Sequence, residues 1–134
     1  TPNQSEAALL LGNPGMEIDG FKSAREAARG LLALGPEAAV LKLGSQGCFV
    51  NAAGFQEGVP GFAVDAVDTT AAGDTFNGAF AVALAEGMSV AEAAVFGNAA
   101  GALSVTRPGA QSSIPQRDEV EAFLKSEHSN VHRR

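Results

Sequence analysis

Hydrophobic and polar positions along this chain change period several times, and each change marks an element. In FKSAREAARGLLALG (residues 21–35), apolar residues recur at Phe21, Ala24, Ala28, Leu31 and Leu32. That spacing lines one face of a helix, and Gly35 supplies its stop. AAVLKLG (38–44) turns to a short apolar run ending in glycine, which predicts a β-strand. GCFVNAAGFQEGVP reads as a hairpin of two short strands around Ala52-Ala53-Gly54, and FAVDAVD (62–68) as a further strand by its alternation. Helix followed by strand is the rhythm of a parallel sheet, so the pattern predicts an α/β fold with four or five short strands.

Helix punctuation carries the rest. NQSEAALLLG has Asn3 as an N-cap, Glu6 three residues on as in a capping box, and Gly12 as terminator. A helix over roughly 74–86 ends at Gly87, and SVAEAAVFGNAAGALSV (89–105) is the best helix in the chain, opened by a capping box from Ser89 and Glu92. Its many Ala and Gly predict tight packing against a neighbouring helix or close approach of a ligand. TRPGAQSSIP is a loop by composition, and QRDEVEAFLKSE is an amphipathic closing helix. HSNVHRR (128–134) is read as a polar, disordered tail. His128 and His132 have the i, i+4 spacing of a metal pair, but within such a tail they are assigned no metal.

Composition narrows the class. The chain has 134 residues, 46% hydrophobic and 18% charged, enough for one domain's core. It has no Trp or Tyr, so Phe and aliphatic side chains fill the interior. A net charge of −6 argues against a general nucleic-acid binder. Small anions stay open, because backbone amides bind them without net positive charge. The single cysteine, Cys48, excludes an internal disulfide, fits a reducing compartment and reads as a core residue in its apolar run. No stretch approaches the ~18–20 apolar residues of a membrane span. The opening TPNQSEAALLLG has neither Met nor a basic start, so no signal peptide is read, and the chain is expected to be a fragment or to have lost its start.

The chemistry concentrates in DTTAAGDTFNGAF (68–80). A strand ending near Val67 and a helix beginning near Gly73 make Ala71, Ala72 and Gly73 the turn into a helix N-terminus. Small side chains there leave unpaired N–H groups, at the positive end of the helix dipole, open to an anion such as phosphate. Asp74 in the first helical turn would repel a phosphate, yet it is well placed to accept a proton from a hydroxyl attacking one. The plainer alternative is a first-turn carboxylate behind a snug turn. Neither the G-x-x-x-x-G-K-[ST] pattern nor a G-x-G-x-x-G after a strand is present.

DTTAAGDTFNGAF resembles the second signature of the ribokinase family of sugar kinases. TPNQSEAALLLG is similar to that family's Asn-x-x-Glu segment, LKLGSQG to its nucleotide-contacting strand end, and VTRPGAQSSIP to its C-terminal loop. The segments follow the family's order from residue 1 to about 124. The resemblance implies a three-layer α/β/α sandwich with a mainly parallel sheet, of which residues 1–127 form the C-terminal, nucleotide-binding portion. It implies transfer of the γ-phosphoryl group of ATP to the 5-hydroxyl of D-ribose, with Asp74 as general base and sugar contact. Ala71, Ala72 and Gly73 become an anion hole. Asn3 and Glu6 match the pair near the phosphates and hydrated Mg²⁺. Lys42, Leu43, Gly44, Ser45, Gln46 and Gly47 match the loop along the nucleotide, with Val59. Asn98 matches the position beside the adenine, often His in the family, or else is an ordinary polar residue on a buried helix.

The same resemblance implies a monovalent cation site, usually for K⁺, beside the anion hole. Asp68 and Thr70 match one half; Ser104, Arg107 (through its carbonyl), Gly109 and Ser113 match the other. Read alone, TRPGAQSS is a plain turn. The family's early Gly-Gly-Asn sugar motif and β lid have no match here. The expectation is therefore a cytoplasmic kinase, homodimeric as a whole, of which this chain alone is inactive. A truncated module that at most binds nucleotide, or a kinase for another pentose, fructose or a nucleoside, is the alternative.

Overall fold

The computed structural model describes residues 1–109 and 114–132. In chain order the elements are α1 (Gln4–Leu10), α2 (Phe21–Leu32), β1 (Ala39–Lys42), a single 3₁₀ turn (Gly44–Gln46), β2 (Gly47–Ala52), β3 (Phe55–Pro60), α3 (Ala72–Ala85), α4 (Val90–Val105) and α5 (Arg117–His132). Both predicted capping boxes form. Asn3 Oδ1 accepts from the Glu6 N–H at 2.8 Å, and Ser89 Oγ from the Glu92 N–H at 3.1 Å. Residues 128–132, set apart as a tail, continue α5 instead. No Gly or Pro falls between Arg117 and His132 to end the helix.

The sheet departs from expectation. Its three strands lie in the order β1-β2-β3 and both pairings are antiparallel, Leu41 opposite Phe49 and Val50 opposite Glu57. The strands are consecutive and joined by connections of a few residues, whereas parallel neighbours need a crossover of about a dozen residues or more. Among the described residues the parallel pairing is a single bridge, Asn3 to Lys42 on the open edge of β1. Residues 62–68 form no strand. The Val67 and Asp68 N–H groups both donate to the Val105 carbonyl, at 2.6 and 3.0 Å. Their backbone bonds thus go to the end of α4, and Val67 is left largely exposed.

Alternation along β1 and β2 divides the core in two. Val40, Cys48, Val50 and Ala52 join Phe76, Phe80, Ala99 and Val120 on the α3–α5 side. Ala39, Leu41 and Phe49 join Ala24, Ala28 and Leu31 on the α1–α2 side. The result is three layers, helices on both faces of the sheet, as expected of a partial α/β/α sandwich. The small residues of α4 serve helix packing: a Cβ on Gly97 would come within 2.8 Å of the Phe76 ring. Cys48 is fully buried, and desolvation pushes its thiol up to about 12. No helix among the described residues is long and apolar enough to cross a membrane.

Candidate active site at the start of the third helix

Helix α3 begins without a cap. Its N-cap is Ala71, which makes no side-chain cap bond, whereas Asn3 and Ser89 cap α1 and α4. Alanine at an N-cap typically costs about 1 kcal/mol relative to Asn or Ser. The Ala72 N–H reaches the Thr69 carbonyl at 3.3 Å, and the Thr75 N–H reaches the Ala71 carbonyl at 2.9 Å. Between them, the Gly73 and Asp74 N–H groups have no hydrogen-bond partner among the described residues. Ala71 is buried and Ala72 half-buried, while Gly73 and Asp74 are exposed. A helix start with two open amides, small side chains and a positive dipole end can hold an anion.

The nearest side-chain group to that turn is a cation. A Cβ added to Gly73 would have a single neighbour within 4 Å, the Lys42 Nζ at 3.5 Å. Lys42 ends β1, and its ammonium donates to Asn77 Oδ1 at 3.0 Å, one helical turn beyond Asp74. Burial lowers the Lys42 pKa, while the nearby Glu6 and Asp74 carboxylates act in the opposite direction. The Lys42 N–H donates to the Pro2 carbonyl at 2.9 Å, which sets the Asn3–Glu6 capping box alongside. Glu6 Oε1 accepts the Asn3 N–H at 2.9 Å. Three distant segments therefore bring Asn3, Glu6, Lys42, Gly73 and Asp74 to one corner. Asn77 completes it without having been singled out in the sequence. Its signal was available, since residues three apart on a helix share a face.

The other expected nucleotide residues gather at the far end of β3. Leu43 and Val59 are core side chains, so any contact they make is through backbone. Gly44 and Gly47 have positive φ, +61° and +103°, and the Gly61 N–H donates to the Gln46 carbonyl at 3.0 Å. Ser45 and Gln46 are exposed. Asn98 is buried and donates through Nδ2 to the Val59 and Pro60 carbonyls, at 3.1 and 3.2 Å. Its amide nitrogen thus ties α4 to β3.

The two halves of the expected cation site also meet. Asp68 Oδ1 accepts from the Thr70 hydroxyl and, at 2.9 Å, from the Thr70 N–H; Oδ2 accepts from the Gly109 N–H at 3.1 Å. These bonds hold the Asp68 carboxyl below the usual carboxylate range, Thr70 contributing most. Ser104 is buried and donates to the Gly101 carbonyl at 2.8 Å. The Arg107 guanidinium pairs with Glu119, leaving its carbonyl as its available ligand. Ser113 lies outside the described residues. One carboxylate among hydroxyls and carbonyls is a donor set that fits a singly charged hard cation.

Beside Asp74 lies a cavity of about 450 Å³ walled by Gly78, Val82, Phe96 and Arg117. Thr75 lines it too, and its buried hydroxyl has no hydrogen-bond partner among the described residues. Thr75→Val should leave stability unchanged or raise it by up to about 1 kcal/mol, because it removes an unpaired polar group without changing shape. Thermal melting checks this; a loss above about 1 kcal/mol would reveal a partner for the hydroxyl.

Residues 1–117 match the family model described as pfkB family carbohydrate kinase. The ribokinase of Haemophilus influenzae is 49% identical over 125 residues, covering 93% of this chain and 40% of that protein. The structure of Arabidopsis thaliana ribokinase complexed with ribose and ATP superposes with a TM-score of 0.81 at 36% identity, covering 92% of this chain and 39% of that one. Phosphofructokinase-2 from Escherichia coli in complex with potassium gives a TM-score of 0.79 at 28% identity, covering 93% and 39%. The chain thus spans about 40% of the length of the curated ribokinase it matches. With a family model matching residues 1–117 and a 49% identical relative spanning 93% of its length, the chain belongs to the pfkB family of carbohydrate kinases.

Proposed function

We propose that this chain is the nucleotide-binding part of an ATP-dependent sugar kinase whose acceptor is the 5-hydroxyl of D-ribose. The observation that carries the reading is the uncapped start of α3, where open amides at Gly73 and Asp74 adjoin an exposed carboxylate. The hydroxyl oxygen attacks the γ-phosphorus, the bond to the β,γ-bridging oxygen breaks, ADP leaves, and Asp74 takes the hydroxyl proton. Ala71, Ala72 and Gly73 leave the amides open to the charge that builds on the phosphoryl oxygens. The loop from Lys42 to Gly47 runs along the nucleotide, and Asn98 borders the adenine by fixing the end of β3.

Mg²⁺, held through water by Glu6 beside Asn3, would neutralise phosphate charge. Glu6 Oε2 accepts no hydrogen bond among the described residues and is available for that contact. A monovalent cation, K⁺ by the donor set, would be held by Asp68, Thr70, Ser104, Arg107, Gly109 and Ser113. There Asp68 already links the loop before α3 to the loop after α4. The enzyme is cytoplasmic, a homodimer in its complete form, and has no nucleic-acid partner.

The test is ADP formation with ATP, Mg²⁺ and D-ribose, with K⁺ present and then omitted, in this chain and in its complete reading frame. Ribose-dependent, K⁺-stimulated turnover in the complete protein and none in the chain alone is the expected result. Turnover with fructose or a nucleoside in place of ribose would reassign the acceptor. A second reading rests on the span of about 40%: a module that binds nucleotide and turns nothing over. Absence of turnover in the complete frame, with ATP binding intact, would favour it.

A further inference from the structure

Glu119 was not singled out in the sequence, and the structure gives it more than a helix start requires. It stands at the third position of α5, where a carboxylate serves the cap: Oε1 accepts the Gln116 N–H at 2.9 Å. That bond needs one oxygen. The other goes to Arg107, 12 residues back, whose Nη2 donates to Oε2 while Nη1 reaches Oε1 at 3.4 Å. One carboxylate therefore grips both ends of the connection from α4 to α5. The Arg107 carbonyl is the one proposed above as a cation ligand, and a guanidinium held by both oxygens of a carboxylate restricts where the rest of that residue lies.

From Arg107 a chain of contacts leads to the start of α3. Gly109, two residues on, donates its N–H to Asp68 Oδ2 at 3.1 Å. Asp68 Oδ1 accepts the Thr70 N–H at 2.9 Å, and Thr70 immediately precedes the Ala71 N-cap. The Val67 and Asp68 N–H groups meanwhile hold the Val105 carbonyl, two residues before Arg107. The Arg107–Glu119 pair itself lies at the surface, with side chains 32% and 38% exposed, and such pairs add little to stability. What it can supply is the placement of a loop.

We propose that Glu119 is a positioning residue for the phosphoryl-transfer site: through Arg107 it sets the loop after α4 against Asp68, so that the affinity for a monovalent cation depends on this ion pair. The inference rests on the cation reading above. Glu119 touches neither cation nor substrate. Without its charge the Arg107 carbonyl and the Gly109 N–H are less ordered, and a binding cation must then order them.

The experiment compares wild type, Glu119→Gln, Arg107→Met and the double variant. Glutamine keeps an oxygen for the Gln116 N–H and methionine keeps the Arg107 carbonyl, so each removes the ion pair alone. The melting temperature of the 134-residue chain is followed as KCl replaces tetramethylammonium chloride at constant ionic strength, which holds charge screening fixed. Ribose-dependent ADP release by the complete reading frame is followed over the same K⁺ series. Wild type should melt higher as K⁺ rises. Each single variant should move the K⁺ midpoint about tenfold upward, the scale of one charged hydrogen bond, and the double variant no further. Saturating K⁺ should restore wild-type turnover and leave KM for ribose within about twofold. Should one single variant not fold, the other carries the comparison. A K⁺ midpoint within about twofold of wild type would overturn the role of Glu119 and leave the cation site standing. Additive shifts in the double variant, or lost turnover that saturating K⁺ does not restore, would do the same. A wild type whose melting and turnover both ignore K⁺ would overturn the cation reading itself, and this proposal with it.

Discussion

Asp74→Asn is expected to lower phosphoryl transfer by about 10²–10⁴-fold, the usual contribution of a positioned general base. The substitution is nearly isosteric, and Asp74 is exposed with no hydrogen-bond partner among the described residues, so nothing in the fold depends on its oxygens. The helix loses one favourable first-turn charge, worth about 0.3–1 kcal/mol. Nucleotide affinity should hold or rise, because a negative charge beside the phosphates disappears. The measurement is steady-state ADP release in the complete protein, paired with calorimetric ATP binding. Loss of turnover with binding intact assigns the base. Turnover within about tenfold of wild type would place the base elsewhere.

Gly47→Ala is the substitution expected to damage the fold most. Gly47 opens β2 at φ +103°, a conformation that side chains with a Cβ rarely adopt. An added methyl would sit 2.1 Å from the Val59 carbonyl oxygen, 2.5 Å from the Gly61 nitrogen and 2.7 Å from the Pro60 carbonyl carbon. All three are backbone atoms, so no side chain can swing aside. Overpacking costs about 1–3 kcal/mol, and the backbone strain a further ~1–3. Together these come to about 2–6 kcal/mol, a large share of the about 5–15 kcal/mol that holds a typical domain folded. Urea unfolding should show the midpoint collapse or the native baseline vanish. A loss below about 1 kcal/mol would contradict the pairing of Gly47 with Pro60. The same change would disturb the loop from Lys42 to Gly47, proposed to run along the nucleotide, where the Gln46 carbonyl is held by the Gly61 N–H.

What was legible in the sequence was local. Asn3 with Glu6 and Ser89 with Glu92 announced two helix starts because a capping box closes within three residues. Gly12, Gly35 and Gly87 announced helix ends, and each has positive φ. The hairpin about Ala53-Gly54 was readable because a turn residue sat between two apolar runs. FAVDAVD misled for the same reason that these succeeded. Its alternation was real, but a strand needs a neighbour, and the Val67 and Asp68 amides found the Val105 carbonyl instead. The direction of the sheet was equally out of reach, because alternation of helix and strand does not say which strands pair.

The candidate site divides along the same line. From sequence came its identities: small residues before Asp74, the Asn3–Glu6 pair, the glycines about Ser45-Gln46, and Asp68 ahead of a Pro-Gly loop. These are statements about which groups can leave amides open, accept a proton or ligate a cation, and side-chain chemistry decides them. Tertiary structure alone decided that the Lys42 ammonium stands over Gly73, that Asn77 holds it, and that the Asn98 amide serves β3. It also decided that Asp68 reaches Gly109, 41 residues away. Each is a long-range contact, fixed by the packing of helices on a twisted sheet rather than by any spacing along the chain. The sequence by itself determined what each of these residues can do; the packing of the layers decided which of them do it together.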